Sequence, residues 1–315
     1  VGRASATPEE TLDIGGKQYV RKGSTVSLQG TDADDEYVVG QITDIKDHNP
    51  QNAQNIKEIL AWFKTEKVDA IAVTGDLGES EESVEAVLRD ISAAGVPVLA
   101  IIGNRECRED FNKAVVAVQK EHKNVINMDL VRVFNTDDLS IVSMPGYYNK
   151  NYLHCQEGCE YTPADAKELP KLAESATGPV KMLISHGPPQ QSGPSALDRI
   201  HEGANVGDPA LAEVMKSGLF PFGLFGNIEE AGGYGTDLTG TQRVPQETFA
   251  NALYVNSGPA DGVRWVMLDN SESYGMAGVM KVKGKQAMYK VLRLKNPDAK
   301  GAAAPKAPAK DASKK

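Results

Sequence analysis

Short apolar runs recur along the chain, and several of them end in a polar side chain able to bind a ligand. Val39-Gly-Gln-Ile-Thr-Asp44, Ile71-Ala-Val-Thr-Gly-Asp76, Val98-Leu-Ala-Ile-Ile-Gly-Asn104, Lys181-Met-Leu-Ile-Ser-His186 and Phe222-Gly-Leu-Phe-Gly-Asn227 all have this form. Runs of this length and apolarity predict buried strands, and open α/β folds gather their ligands at the carboxyl edge of such strands. The pattern therefore predicts one site built from many strand ends.

Between the first runs the period changes to that of a helix. Asn49-Pro50 is a helix start, and Ile56, Ile59, Leu60 and Phe63 recur on one face. Ser80 to Ala94, closed by Gly95, and Asp110 to His122 are predicted as two more helices. Strands separated by helices read as βαβ units and hence a largely parallel sheet. The second half is richer in strands: Leu139–Met144, Met182–Ser185, Phe222–Phe225, Leu253–Asn256, Arg264–Leu268, Met276–Val282 and Gln286–Leu294, with helices near Ala164–Ser175 and Pro209–Lys216. Residues 1–36 form an N-terminal extension containing a hairpin, Thr11–Ile14 and Lys17–Val20 around Gly15-Gly16. Thr31-Asp-Ala-Asp-Asp-Glu36 lacks the glycine and distant glutamate of a calcium loop, so a solvated acidic turn is expected there. Pro145–Pro163 and Gly187–Asp208 are polar loops placed to roof the site.

Length and composition narrow the setting. The 315 residues, 40% of them hydrophobic, suffice for a large core. The motif run favours one domain, 37–295, followed by an Ala-, Pro- and Lys-rich tail, 296–315, expected to be disordered. Net charge is −9, and the five lysines of that tail leave the body more acidic still, which argues against nucleic acid. No apolar run is long enough for a transmembrane helix. The chain starts at Val1, consistent with a removed secretory or lipoprotein signal or with a trimmed boundary. Cys155 and Cys159 are close enough to form a small disulfide loop or remain as two thiols, with Cys107 apart. If bonded, they place the chain in an oxidising compartment, so a periplasmic, secreted or lipid-anchored location is expected, with the cytoplasm as the alternative.

The order Asp44, Gly75-Asp76, Gly103-Asn104, His186, Gly226-Asn-Ile-Glu229 resembles the calcineurin-like metallophosphoesterases from about Val38 to about Leu294. That family's motifs read D-x-H, G-D, G-N-H, a strand-terminal His and G-H-x-H. The resemblance implies a four-layer α/β/β/α sandwich of two mixed sheets. It also implies two divalent ions sharing Asp76, a bridging hydroxide that attacks phosphorus, and a His after the Asn that protonates the leaving group.

This chain departs from the pattern at each of four imidazoles. Lys46 stands in D-x-H, Arg105 in G-N-H, and Asn227 and Glu229 in G-H-x-H. Asp44, Asp76, Asn104 and His186 keep their ligand types. An ammonium cannot ligate a cation, and a guanidinium can hold a phosphate but gives up no proton near neutral pH. Lys46 is therefore expected to replace a metal, within salt-bridge reach of at least two of Asp44, Asp76 and Glu229. No catalytic residue is assigned, and Arg105 only occupies the place of the family's acid.

The resulting expectation is a metallophosphoesterase-fold protein without two-metal catalysis, serving as a structural or binding module with protein partners and no cofactor. The alternative is a phosphoesterase holding one divalent ion (Mn, Fe, Zn or Mg) through Asp76, Asn104 and His186, with Arg105 clamping a phosphate-containing ligand.

Overall fold

A computed structural model describes residues 9–297; most of the predicted tail lies outside them. In chain order the elements are β1 (Glu10–Ile14), β2 (Lys17–Lys22), β3 (Thr25–Leu28), β4 (Glu36–Ile42), α1 (Pro50–Thr65), β5 (Ala70–Thr74), α2 (Glu81–Ser92), β6 (Val98–Ile101), α3 (Arg108–Gln119) and β7 (Val125–Asn127). Then come β8 (Val133–Asn135), β9 (Ser140–Met144), α4 (Pro163–Lys167), α5 (Leu169–Leu172), β10 (Lys181–Ser185), α6 (Pro209–Met215), β11 (Phe222–Phe225), β12 (Tyr234–Thr236) and β13 (Arg243–Val244). The last are β14 (Leu253–Asn256), β15 (Trp265–Val266), β16 (Glu272–Ser273), β17 (Met276–Lys283) and β18 (Gln286–Arg293).

Two mixed sheets carry the fold. The smaller runs β18-β17-β4-β5-β6-β7 and the larger runs β1-β2-β3-β8-β9-β10-β11-β14-β12-β13. Their inner faces share one apolar core, where Val39, Ala72 and Leu99 of the small sheet meet Ile141, Met182, Leu224 and Val255 of the large one. α1, α2 and α3 cover the outer face of the small sheet through Ile59, Val87 and Phe111. α4, α5 and α6 pack outside the large sheet with Phe220 and Tyr254. This is the expected four-layer arrangement. The N-terminal hairpin and β3 extend the large sheet, because β3 pairs with β8 in parallel.

Helix boundaries follow capping chemistry. Asn49 caps α1 by accepting from the Asn52 N–H, and Ser80 caps α2 by accepting from Ser83. The single helix expected over Ala164–Ser175 is broken into α4, α5 and a 3-10 turn, because Pro170 lacks the N–H a continuous helix needs. The strand expected over Arg264–Leu268 shortens to β15.

Candidate metal centre and its substituted cations

The carboxyl ends of β4, β5 and β6 in one sheet and of β10, β11 and β14 in the other point to a common edge, and the motif residues follow immediately. Asp44, Lys46, Asp76 and Asn227 all have left-handed backbone, with φ of 54°, 68°, 57° and 64°. Such conformations are uncommon for residues with a Cβ and cluster at functional sites. The strand-end loops are locked together by Asp44 N–H to the Gly75 carbonyl (3.2 Å) and Lys46 N–H to the Asp76 carbonyl (2.7 Å). A Cβ on Gly103 would lie 2.2 Å from Asp76 Oδ1, and one on Gly75 would lie 2.7 Å from His186 Nδ1. Glycine at these positions lets the loops approach closely enough for the side chains to meet.

In the first half of the site Lys46 is nearly buried. Its Nζ lies 2.5 Å from Glu229 Oε1 and 3.5 Å from Asp261 Oδ2, and 4.1 Å from the centroid of the Trp265 ring. Trp265 Nε1 donates to Asp261 Oδ1 at 2.8 Å, so the ring and the carboxylate hold each other in place around the ammonium. Of the expected carboxylates, only Glu229 comes within 4.0 Å of Lys46. The second partner is Asp261 in place of Asp44 or Asp76, because Asp44 turns its Oδ2 to the Thr43 hydroxyl and the Asn227 N–H. Burial disfavours charge on Lys46, but Glu229, Asp44 and Asp261 outweigh it and raise its pKa.

In the second half His186 is fully buried. Its Nδ1 faces the Thr74 carbonyl at 2.8 Å, and its Nε2 faces Asn104 Oδ1 at 2.7 Å and Asp76 Oδ1 at 3.3 Å. The Asn104 amide is oriented by its own donation to the Tyr152 carbonyl, 2.8 Å. Both imidazole nitrogens therefore face acceptors and both must donate, which requires imidazolium. Burial opposes that charge, yet Asp76 and Asp44 lift the His186 pKa to about 10. Burial would raise the Asp76 carboxyl in turn, but His186 and Arg105 hold it below its usual value.

Arg105 sits over the outer side of Asp76, with Nε 3.4 Å from Asp76 Oδ2 and Nη1 2.6 Å from Glu79 Oε1. Beneath it Glu106 accepts the Leu77 and Gly103 N–H groups, tying the β5 and β6 loops together. Burial and the nearby Asp76 push its carboxyl up to about 8. Tyr147 closes the site from above: its ring stands edge-on to His186, centroids 6.0 Å apart, and its hydroxyl accepts from Asn227 Nδ2 at 3.0 Å. The 145–163 loop thus roofs the site, and the Tyr148 hydroxyl ties it to the Val206 carbonyl of the 187–208 loop.

The cysteines pair differently from the expectation. Cys107 is bonded to Cys155, and Cys159 is the free thiol. Backbone pairing of Cys107 with Gly158 lays the 155–159 loop along the start of α3. This brings Cys155 to a residue distant in sequence and leaves Cys159 partly buried below. The bond fastens the roof loop to the segment that carries Asn104 and Arg105.

Two ions sharing Asp76 would need lone pairs that this arrangement has already committed. Lys46 has none, Glu229 serves Lys46, and both His186 nitrogens point at oxygens. The donor set does not fit a two-metal centre. One feature still suits a single cation: Asp44 Oδ1 is buried without a hydrogen-bond partner, and ligand atoms of Asp44, Asp76 and His186 lie within 4.8 Å of one another, so that an ion held there would displace one imidazolium proton.

The sequence reading missed Asp261, Trp265, Glu106 and Tyr147. Asp261 carries the same signal as the others, since β14 ends at Asn256 and runs into Ser-Gly-Pro-Ala-Asp261. Of the remaining histidines, His154 reaches the rim, with Nδ1 3.0 Å from Glu79.

The His186 geometry predicts a pH effect. A folded pKa near 10 against an ordinary value of 6.5 gives stability that is fully present below pH 6.5 and lost as pH rises through 10. Urea denaturation at pH 7 and pH 9.5 should show a steeper decline in the native protein than in His186→Gln, where only groups such as Glu106 still contribute to it; equal declines would contradict the imidazolium.

The model of the calcineurin-like phosphoesterase family matches residues 37–213. No curated protein matches the chain. Among solved structures, TT1561 of Thermus thermophilus is 13% identical with a TM-score of 0.51, covering 76% of this chain and 98% of its own. GAP50, described as the anchor in the inner membrane complex of Plasmodium, is 12% identical with a TM-score of 0.51, covering 82% of this chain and 84% of its own. At such identities these likenesses concern the fold. With the family model spanning more than half of the sequence and the motif residues meeting at one sheet edge, the chain belongs to the calcineurin-like phosphoesterase family.

Proposed function

We propose that this protein has lost two-metal phosphoesterase catalysis and serves as a structural or binding module, working outside the cytoplasm with protein partners. The observation that carries the reading is the Lys46 ammonium seated between Glu229 and Asp261 over Trp265, at the motif position where the family has an imidazole. Arg105 in place of the acid supports the same reading, as does the Tyr147 ring packed on His186. GAP50, a protein of similar fold named as an anchor, gives a precedent for a scaffold role. The Cys107–Cys155 bond supports an oxidising compartment.

Protein purified from its own cells and freed of loosely bound ions should carry well under one transition-metal equivalent by elemental analysis. It should also hydrolyse generic phosphodiesters no faster than a blank. Two bound metals per chain with turnover would end the proposal.

A second reading, a phosphoesterase working with one divalent ion, is favoured by the partnerless Asp44 Oδ1 beside Asp76 and His186. One metal equivalent that disappears in Asp44→Asn, accompanied by turnover, would select it.

A further inference from the structure

Far from this site, at the β3–β4 connection, the fold completes a cluster that the sequence leaves incomplete. Asp32 lies in the acidic turn before β4, and its N–H donates to Asp137 Oδ2 at 2.8 Å across a separation of 105 residues. Asp137 and Asp138 form the tight turn between β8 and β9, pinned by reciprocal hydrogen bonds between Thr136 and Leu139. Ligand oxygens of Asp32, Asp137 and Asp138 lie within 4.8 Å of one another.

Acidic turns are common on surfaces, and the decisive observation here is Asp138. The residue is only 9% exposed, and its Oδ2 is buried with no hydrogen-bond partner. A buried carboxylate oxygen without donor or counter-ion is costly. Burial first, then the carboxylates Asp137, Asp32, Asp34 and Asp35, push the Asp138 carboxyl up to about 6. Among the described residues the one cation within 4.0 Å of the three is Lys17, 3.9 Å from Asp32 on a half-exposed side chain. It reaches neither Asp137 nor Asp138.

We propose that Asp32, Asp137 and Asp138 bind a calcium ion that clasps the β3–β4 connection to the β8–β9 turn. The donors are all hard oxygens, with no imidazole or thiolate to attract a transition metal. All three come from loops, which suits the adaptable geometry of calcium better than the strict octahedron of magnesium. Three carboxylates at a partly solvated position, with water completing the shell, place the affinity in the weak range of about 10⁻⁴–10⁻³ M. The clasp would join the β8–β9 turn of the large sheet to the segment leading into β4 of the small one. It is independent of the Asp44 site and of the reading given to it.

The test is calorimetric titration of the chelator-treated full chain with calcium chloride, paired with thermal denaturation at matched ionic strength. The native protein should take up one equivalent, and at tenfold excess over Kd its Tm should rise by roughly 3 °C. Asp138→Asn and the exposed variant Asp32→Asn should each weaken binding at least tenfold. Asp138→Asn should in addition raise Tm without calcium, since it removes a charge from a crowd. The proposal is overturned by the absence of calcium heat up to 10 mM, by equal responses to calcium and magnesium, or by affinity unchanged in both variants. Loss of the calcium equivalent in Asp44→Asn alone would also overturn it, by moving the ion to the other site.

Discussion

Lys46→Met should lower the stability of this protein by about 3–5 kcal/mol, the usual cost of removing one partner from a buried ion pair. The substitution keeps an unbranched side chain of nearly the same length and takes away the charge. Glu229 and Asp261 are then left facing each other with little water to separate them, since the Asp261 side chain is 3% exposed and that of Glu229 17%. Trp265 loses its cation as well. Urea denaturation gives the readout: the midpoint should fall sharply while the m-value stays fixed, marking a change in stability and not in the extent of unfolding. Adding Glu229→Gln should return part of the loss, because one of the stranded carboxylates is then neutral. Lys57→Met, at an exposed position on α1, should be nearly neutral and serves as the control. A loss under about 1 kcal/mol for Lys46→Met would mean that the ammonium does not hold the site together.

Cys155→Ser should cost nearly as much, by a different route. The Cys107–Cys155 bond closes a loop of 48 residues, and chain-entropy scaling gives a loop of that length about 4 kcal/mol of stabilisation, exerted through the unfolded state. The variant should unfold at lower denaturant, while Cys159→Ser should change little beyond local packing. Thiol counting separates the pairings directly: unfolded, unreduced protein should offer one thiol to alkylation, and peptide mapping should place it at Cys159. A label at Cys107 would restore the Cys155–Cys159 pairing that the spacing alone suggested.

These two predictions differ in how much of them the chain itself disclosed. Lys46 was marked in the sequence, because it occupies a motif position whose neighbours Asp44 and Gly75-Asp76 were in place. Glu229 was marked for the same reason. Asp261 was not, although it follows a strand end like the others, because it lies beyond the end of β14 and in none of the motifs. The disulfide partner is hidden in the sequence for a related reason. Proximity along the chain favoured Cys159 as the partner of Cys155, whereas backbone pairing of Cys107 with Gly158 decides which sulfur is near.

The Asp32, Asp137 and Asp138 cluster shows the same limit more sharply. By local pattern the acidic turn at 31–36 lacks what a calcium loop needs, and that statement remains correct of the segment. Two further carboxylates arrive from the β8–β9 turn more than a hundred residues away, carried there because β3 pairs with β8. No periodicity or spacing within either segment encodes that meeting.

What the sequence determined by itself was the set of local choices: buried strands from short apolar runs, helices from 3.6-residue periodicity and caps, and polar side chains delivered at strand ends. Those signals act over a few residues and depend on burial and backbone geometry that each segment carries within it. Tertiary structure alone decided which charges neutralise one another. It gave Lys46 to Asp261, set both His186 nitrogens against oxygens, laid Tyr147 over the site and joined Cys107 to Cys155. Each of those outcomes depends on distances of a few ångströms between segments far apart in the chain, and such distances are fixed only when the two sheets pack face to face.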